Sequence, residues 1–255
     1  MGSRFFIVGD IHACPRELET LLTALELQPE DRLVFLGDYV DRGTDARAVV
    51  DLLLGMKADE VCHMTFLKGN HEDMFLEFLG YEGRYGEAFL VNGGNATIRS
   101  YGLPPNLFGK DAAALLPQEH LDFYLSLDTM LIEGETLCVH AGLNPVRSLD
   151  EQHEEELLWI RQEFIFHPHP FAHTVVFGHT PHREVLFDLP FKVGIDTGLV
   201  YGGKLSCLEV TEKSLFQIAK GSKTVKVANV ASRWQPLAEP SVARNHKNLS
   251  VESRE

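Results

Sequence analysis

The feature that most restricts the fold of this chain is a recurrence. An apolar run ends, usually at a glycine, and side chains that have no place in a core follow at once. Leu33-Val34-Phe35-Leu36 stops at Gly37, and then come Asp38, Asp41 and Arg42. The run at residues 4–9 closes on Gly9 and delivers Asp10 and His12, and residues 61–67 lead into Gly69-Asn70-His71-Glu72. Later runs end in Val139-His140-Ala141-Gly142 and in Phe177-Gly178-His179-Thr180-Pro181. Short apolar runs bounded by turn residues read as buried strands. In an α/β sheet, ligands bind beyond the carboxyl ends of the strands. Five strand ends that each carry acids, imidazoles or an amide therefore predict one site on a common rim.

The segments between these runs fix the class. Residues 15–27 place Leu18, Leu21, Leu22 and Leu25 at helical spacing behind Pro15, which is tolerated in a first turn. Residues 46–56 and 74–79 are helical by the same pattern. The start is thus β-α-β-α-β-α, which predicts parallel strands covered by helices. Residues 80–118 are rich in glycine and proline and predict an irregular insert with one or two short helices. Strands resume at 130–132, 136–140, 174–177, 185–187, 192–195, 204–210 and 215–219. The expectation is an α/β (α+β) fold with two packed mixed sheets and outer helices. It comprises one catalytic domain over residues 1–219 and a solvated tail over 220–255.

Composition narrows the partners. A formal net charge of −14 repels nucleic acid and anionic membrane, so neither is expected as a partner. No apolar run approaches the roughly 20 residues of a membrane span. The N-terminus shows no signal-peptide or myristoylation pattern, so a cytoplasmic protein is the expectation. The four cysteines (Cys14, Cys62, Cys138 and Cys207) are scattered, with no Cys-x-x-Cys pair, which predicts free thiols. Nothing in the chain demands more than a monomer.

Asp, His and Asn together are mixed nitrogen and oxygen donors, suited to Mn, Fe or Zn. Two such ions bridged by one carboxylate can activate water and clamp a displacement at phosphorus. Each piece alone is weak, since Asp-x-His is commonly accidental and Asp-Arg-Gly can be a salt-bridged turn. Their joint occurrence in this order, each after an apolar run, carries the reading.

Gly-Asp-Ile-His, Gly-Asp-Tyr-Val-Asp-Arg-Gly, Gly-Asn-His-Glu, His-Ala-Gly and Gly-His-Thr in succession resemble the phosphoprotein phosphatase family. That family lies within the calcineurin-like metallophosphoesterases, and the small bacterial and bacteriophage-lambda-type enzymes match in length. The resemblance covers residues 4–212. It implies that Asp10 and His12 bind one divalent ion, that Asp38 bridges, and that Asn70, His140 and His179 bind a second, with Mn favoured over Fe or Zn. It further implies His71 as general acid with Asp41 as its partner, and Arg42, Arg161 (in Leu-Leu-Trp-Ile-Arg) and Asn70 as phosphate-binding groups. Asp41 would orient His71 and favour its protonated form. Attack by a metal-bridging hydroxide would need no phosphoenzyme, in keeping with the lack of a nucleophile motif.

One departure is Ala13, where the family has glycine; a positive φ there would be strained. Asp196-Thr197-Gly198 reads as a strand-end turn near the site. His167, His169, His173 and His182 form a histidine-rich neighbourhood that reads as loop and rim. Asn92-Gly93-Gly94 either lines the cleft or forms a turn. The expected activity is hydrolysis of phosphoserine or phosphothreonine, and conceivably phosphotyrosine, in proteins or peptides. The alternative is a symmetrical diadenosine tetraphosphatase or another nucleotide phosphatase. The presence of Asp41 and of Glu72 favours the protein phosphatase branch. A catalytically inactive binding module is the remote third reading.

Overall fold

A computed structural model describes residues 2–234. The elements follow the chain as β1 (Phe5–Val8), α1 (Pro15–Leu25), β2 (Arg32–Phe35), α2 (Ala46–Ala58), β3 (His63–Phe66) and α3 (Asn70–Phe78). Next come α4 (Asn95–Tyr101), α5 (Gly109–Ala113), α6 (Gln118–Leu125), β4 (Met130–Glu133), β5 (Thr136–Val139), α7 (Glu154–Trp159) and α8 (Gln162–Ile165). The chain continues with β6 (Thr174–Phe177), β7 (Leu186–Asp188), β8 (Lys192–Gly194), β9 (Lys204–Glu209), β10 (Ser214–Ala219) and β11 (Val225–Asn229).

Two mixed sheets result. The first runs β11-β10-β9-β1-β2-β3 and the second β4-β5-β6-β8-β7. In the first, β1, β2 and β3 are parallel, and β9 joins β1 antiparallel. In the second, β5, β6 and β8 are parallel.

The period-2 alternation of a strand explains why its runs are apolar throughout. Phe6, Val8, Leu33 and Phe35 face one way, into a cluster with Leu18, Leu21, Val49 and Leu53 of α1 and α2. Phe5, Ile7, Val34 and Leu36 face the other, and meet Cys138, Val176 and Val193 of the second sheet. The outer face of that second sheet, Leu137, Val139, Val175 and Phe177, is covered by Leu157 and Phe164 from α7 and α8. Both faces of the central strands are buried, so their ends are left for polar chemistry.

Helix starts follow ordinary capping rules. Asp45 accepts the Ala48 N–H at 3.0 Å ahead of α2. Glu72, in the first turn of α3, reaches back to the Gly69 N–H at 2.9 Å.

Two expectations need correction. The tail does not begin at residue 220, because β11 pairs with β10 from Ser214↔Asn229 to Ile218↔Val225. Its side chains are mostly exposed, so no apolar alternation announced it. The remainder of the expected tail, 235–255, lies outside the described residues. The second half is also less purely β than its sequence suggested, since α7 and α8 are too short for periodicity to register. The insert at 80–118 holds α4 and α5, as expected. All four cysteines are free and buried. No helix among the described residues is long and apolar enough to cross a membrane.

Candidate metal centre and its surroundings

The rim formed by the ends of β1, β2, β3, β5 and β6 gathers every strand-end motif. Asp10, His12, Asp38, Asp41, Asn70, His71, His140 and His179 are all buried. The turns that deliver them are tight enough to force left-handed backbone on residues with side chains. His12, Ala13, Asp38, Asp41, Arg42 and His179 have φ of 45°, 50°, 54°, 69°, 66° and 63°. Left-handed conformation costs an L-residue about 1–2 kcal/mol, and such strain collects at functional sites. The strain expected at Ala13 is therefore present. Glycine is required at Gly178, where any Cβ would run into Asp10 Oδ1.

The hydrogen bonds show which ring nitrogens are available. His12 Nδ1 donates to the Val40 carbonyl at 3.0 Å, and His140 Nδ1 donates to the Leu36 carbonyl at 2.8 Å. That leaves both Nε2 atoms as acceptors, the arrangement typical of metal-ligating histidine, with Arg42 Nη1 donating to that of His12. His12 Nε2 faces Asp38 Oδ2 at 3.4 Å, and His140 Nε2 faces Asp38 Oδ1 at 3.5 Å. Lone pairs thus oppose lone pairs, one imidazole on each carboxylate oxygen, which is repulsive unless a cation lies between. Asn70 Oδ1 adds to this, 3.0 Å from His140 Nε2 and 2.9 Å from His179 Nδ1. His179 Nε2 is buried with no partner. Burial keeps the rings neutral, pushing His12 down to about 3 and lowering His140 and His179.

Two triads have donor atoms all within 4.8 Å of one another: His12, Asp38 and His71, and Asp38, His140 and His179. Asp38 belongs to both, so the donor set fits two cations sharing one carboxylate. Asp10 stands beside these triads, both its oxygens accepting the His179 N–H at 3.1 and 3.0 Å. Burial, with Asp196 and Asp38 close by, pushes its carboxyl well above the usual range. Asp196, read from the sequence as part of a strand-end turn near the site, is buried and pushed up to about 6, chiefly by burial. Three crowded carboxyls again ask for positive charge.

The expected acid pair is in contact: His71 Nδ1 lies 2.6 Å from Asp41 Oδ2. Burial pushes His71 down to about 4 and Asp41 well up. The contact lets Asp41 orient the ring. Thr97 of α4, which sequence reasoning missed, donates to Asp41 Oδ1 at 2.6 Å and accepts the Asp41 N–H at 2.9 Å. No local motif could have signalled it, because it comes from the insert, 56 residues away.

Arg42 Nη1 donates to His12 Nε2 at 2.7 Å, and its guanidinium lies 5.5 Å from the Tyr201 ring centre. Its N–H bonds the Gly93 carbonyl at 3.2 Å. A Cβ on Gly93, whose φ is 110°, would lie 2.6 Å from Arg42 Cγ, so the Asn92-Gly93-Gly94 turn packs directly on this arginine. Arg161 is exposed, with Nη1 3.4 Å from Thr180 Oγ1 of the Gly-His-Thr turn. Trp159 is half-buried, its ring centre 6.2 Å from that of His179 and 5.0 Å from that of Tyr85. Of the histidine-rich neighbourhood, His169 Nε2 bonds the Phe191 carbonyl and His167 Nδ1 the Glu163 carbonyl. None of its four members belongs to a metal-holding group among the described residues.

Comparison with known proteins places this geometry. Residues 3–203 match the family model described as calcineurin-like phosphoesterase. A curated relative from Geobacillus thermodenitrificans, bis(5'-nucleosyl)-tetraphosphatase PrpE [asymmetrical], is 26% identical over 240 residues, 83% of this chain and 92% of the relative. A solved structure of a candidate diadenosine tetraphosphatase superposes with TM-score 0.64 at 25% identity, covering 86% of this chain and 95% of that one. A cold-active protein-tyrosine phosphatase of a psychrophilic Shewanella has TM-score 0.55 at 18% identity, over 89% and 80% of the two chains, and so shares the fold.

Proposed function

From the premise that the chain belongs to the calcineurin-like phosphoesterases, we propose that it hydrolyses nucleotides of the bis(5'-nucleosyl) tetraphosphate type with two divalent metal ions. The observation that carries this is the relative named for that activity, which aligns over 83% of this chain and nearly its own full length. The tetraphosphatase-like structure supports it. This reverses the order read from the sequence, where Asp41 and Glu72 put phosphoproteins first.

Asp10, His12 and Asp38 would hold one ion, and Asp38, Asn70, His140 and His179 the other. When bound, the pair supplies Lewis-acid activation of water and neutralises charge at phosphorus. The chain's own groups do the rest. Arg42 and Arg161 take non-bridging phosphoryl oxygens through planar guanidinium forks. His71, steered through Nδ1 by Asp41, presents its other nitrogen to the leaving oxygen. The buried rim keeps His71 and Asp41 in place without reorganisation.

A second reading, hydrolysis of phosphoserine or phosphothreonine in proteins, is favoured by the His71–Asp41–Thr97 chain. A phosphoanhydride leaving group departs with little help, whereas an alkoxide needs a proton. The test is metal-stripped protein resupplied with Mn²⁺ and given diadenosine tetraphosphate or a phosphothreonine peptide, with His71→Asn alongside. The proposal expects faster turnover of the dinucleotide, with less than about tenfold loss in the variant. Faster turnover of the peptide, lost by about 10²–10⁴-fold in His71→Asn, would replace the proposal with the second reading. Chromatography of the nucleotide products separates asymmetrical from symmetrical cleavage.

A further inference from the structure

Residues 38–40 have hydrogen bonds on both edges. On one edge their three consecutive N–H groups converge on a single carboxylate. Glu72 Oε2 accepts from Asp38 N at 2.8 Å, and Oε1 accepts from Tyr39 N at 2.8 Å and Val40 N at 3.2 Å. The fourth donor to the same carboxylate is Gly69 N at 2.9 Å, from the turn between β3 and α3. On the other edge the three carbonyls hold the first strand end. Asp38 O accepts from Ile11 N at 3.1 Å and His12 N at 2.7 Å, and Tyr39 O accepts from Ala13 N at 2.8 Å. Val40 O meets His12 Nδ1 at 3.0 Å. Glu72 itself is fully buried.

We propose that Glu72 is a positioning residue that sets the spacing between the two halves of the metal centre, an inference that rests on the dinuclear reading of the site. Its carboxylate touches both the segment carrying Asp38 and the turn carrying Asn70 and His71. Successive N–H groups pointing into one concavity make a natural anion seat, and here the anion is a side chain of the protein. The left-handed backbone at Asp38 (φ 54°) is what turns these N–H groups inward. With the seat filled, Asp38 Oδ1 also receives the His71 N–H at 3.2 Å, which joins the bridging carboxylate to the acid's own backbone. A carboxylate with one methylene fewer could not span from Gly69 to Val40. An amide in its place would turn a donor toward two of the four N–H groups.

The experiment compares wild type, Glu72→Asp and Glu72→Gln, with Leu53→Ala as a control destabilised in the helix-side core. Each metal-stripped protein is melted, then titrated with Mn²⁺ and followed by electron paramagnetic resonance. The proposal expects wild type to take two equivalents with a spin-coupled signal. Both Glu72 variants should bind the second equivalent about 10–100-fold more weakly, the range seen when partners of metal ligands are removed, and should show the uncoupled six-line signal. Leu53→Ala should lose melting temperature and keep the coupled signal. Glu72 variants that behave like Leu53→Ala would overturn the proposal and leave Glu72 as a helix cap. Wild type that binds fewer than two ions would overturn the dinuclear reading, and the proposal with it. If neither variant folds, amide hydrogen exchange on stripped wild type decides. Strong protection at residues 38–40 without metal supports a seat built by Glu72, and free exchange there refutes it.

Discussion

The two sheets contribute to the centre in different ways. From the first sheet, three adjacent parallel strands deliver Asp10, His12, Asp38, Asp41, Arg42, Asn70 and His71, all within 62 consecutive positions. Their turns are strained and tied edge to edge by backbone hydrogen bonds. From the second sheet come His140 and His179, each alone at its strand end, with Asp196 after β8. His140 is fixed from across the interface, by the Leu36 carbonyl of the first sheet. The first half is thus built from main chain, and the second is side chains leaning into it. A half held by main chain should survive the loss of one ligand side chain, while a half made of side chains should not.

The sharpest way to break this comparison is at the ligands. Asp38→Asn removes the shared carboxylate and should lower turnover by more than about 100-fold, beyond the usual cost of an outer partner, with at most one Mn²⁺ retained. His179→Asn should cost one ion and leave the other bound. Equilibrium dialysis reads both, and loss of both ions in His179→Asn would mean that the two halves are not separable. A medium effect sharpens the picture on the first-sheet side. Thr97→Val keeps shape but removes both bonds to Asp41. Turnover of a phosphothreonine peptide should fall about 10–100-fold, with KM and Mn²⁺ stoichiometry unchanged. A shift confined to KM would mean that Thr97 does not act through the acid pair.

The smallest effect lies at an ion pair joining the sheets away from the rim. Arg32 of β2 and Glu133 of β4 are paired with 47% and 39% of their side-chain surface exposed. Exposed pairs contribute about 0–1 kcal/mol, so Glu133→Gln should move Tm by no more than about 2–4 °C and leave activity alone. Any larger loss of activity would show the sheets to be coupled well below the site.

This division also explains what could be read from the sequence. The first-sheet residues were legible because each motif is local, a few positions after an apolar run. His140 and His179 were legible for the same reason, although each stands alone. Thr97 was not, because it reaches the site only through the tertiary fold and carries no local signature, whereas Asp196 was read as a strand-end turn near the site without a role. Glu72 was legible as a motif letter but not as a contact, since its four partners lie on two separate turns. At element level, β11 escaped because an exposed edge strand has no face to alternate. The substrate was the least legible feature, because the rim chemistry serves any phosphoester and selection falls to the surrounding surface.

The pairing of β1 with β9 joins Phe6 to Glu209. This has a consequence for synthesis. A nascent chain has made every first-sheet ligand by residue 71, but β1 then still lacks its antiparallel neighbour, some 140 positions further along. Contacts of such sequence separation close late and fold slowly. Until β9 is made the chain would display carboxylates and imidazoles with no finished cradle to hold them. Metal acquisition should therefore follow the pairing of β9 with β1, and the timing of the two can be followed separately in a refolding experiment.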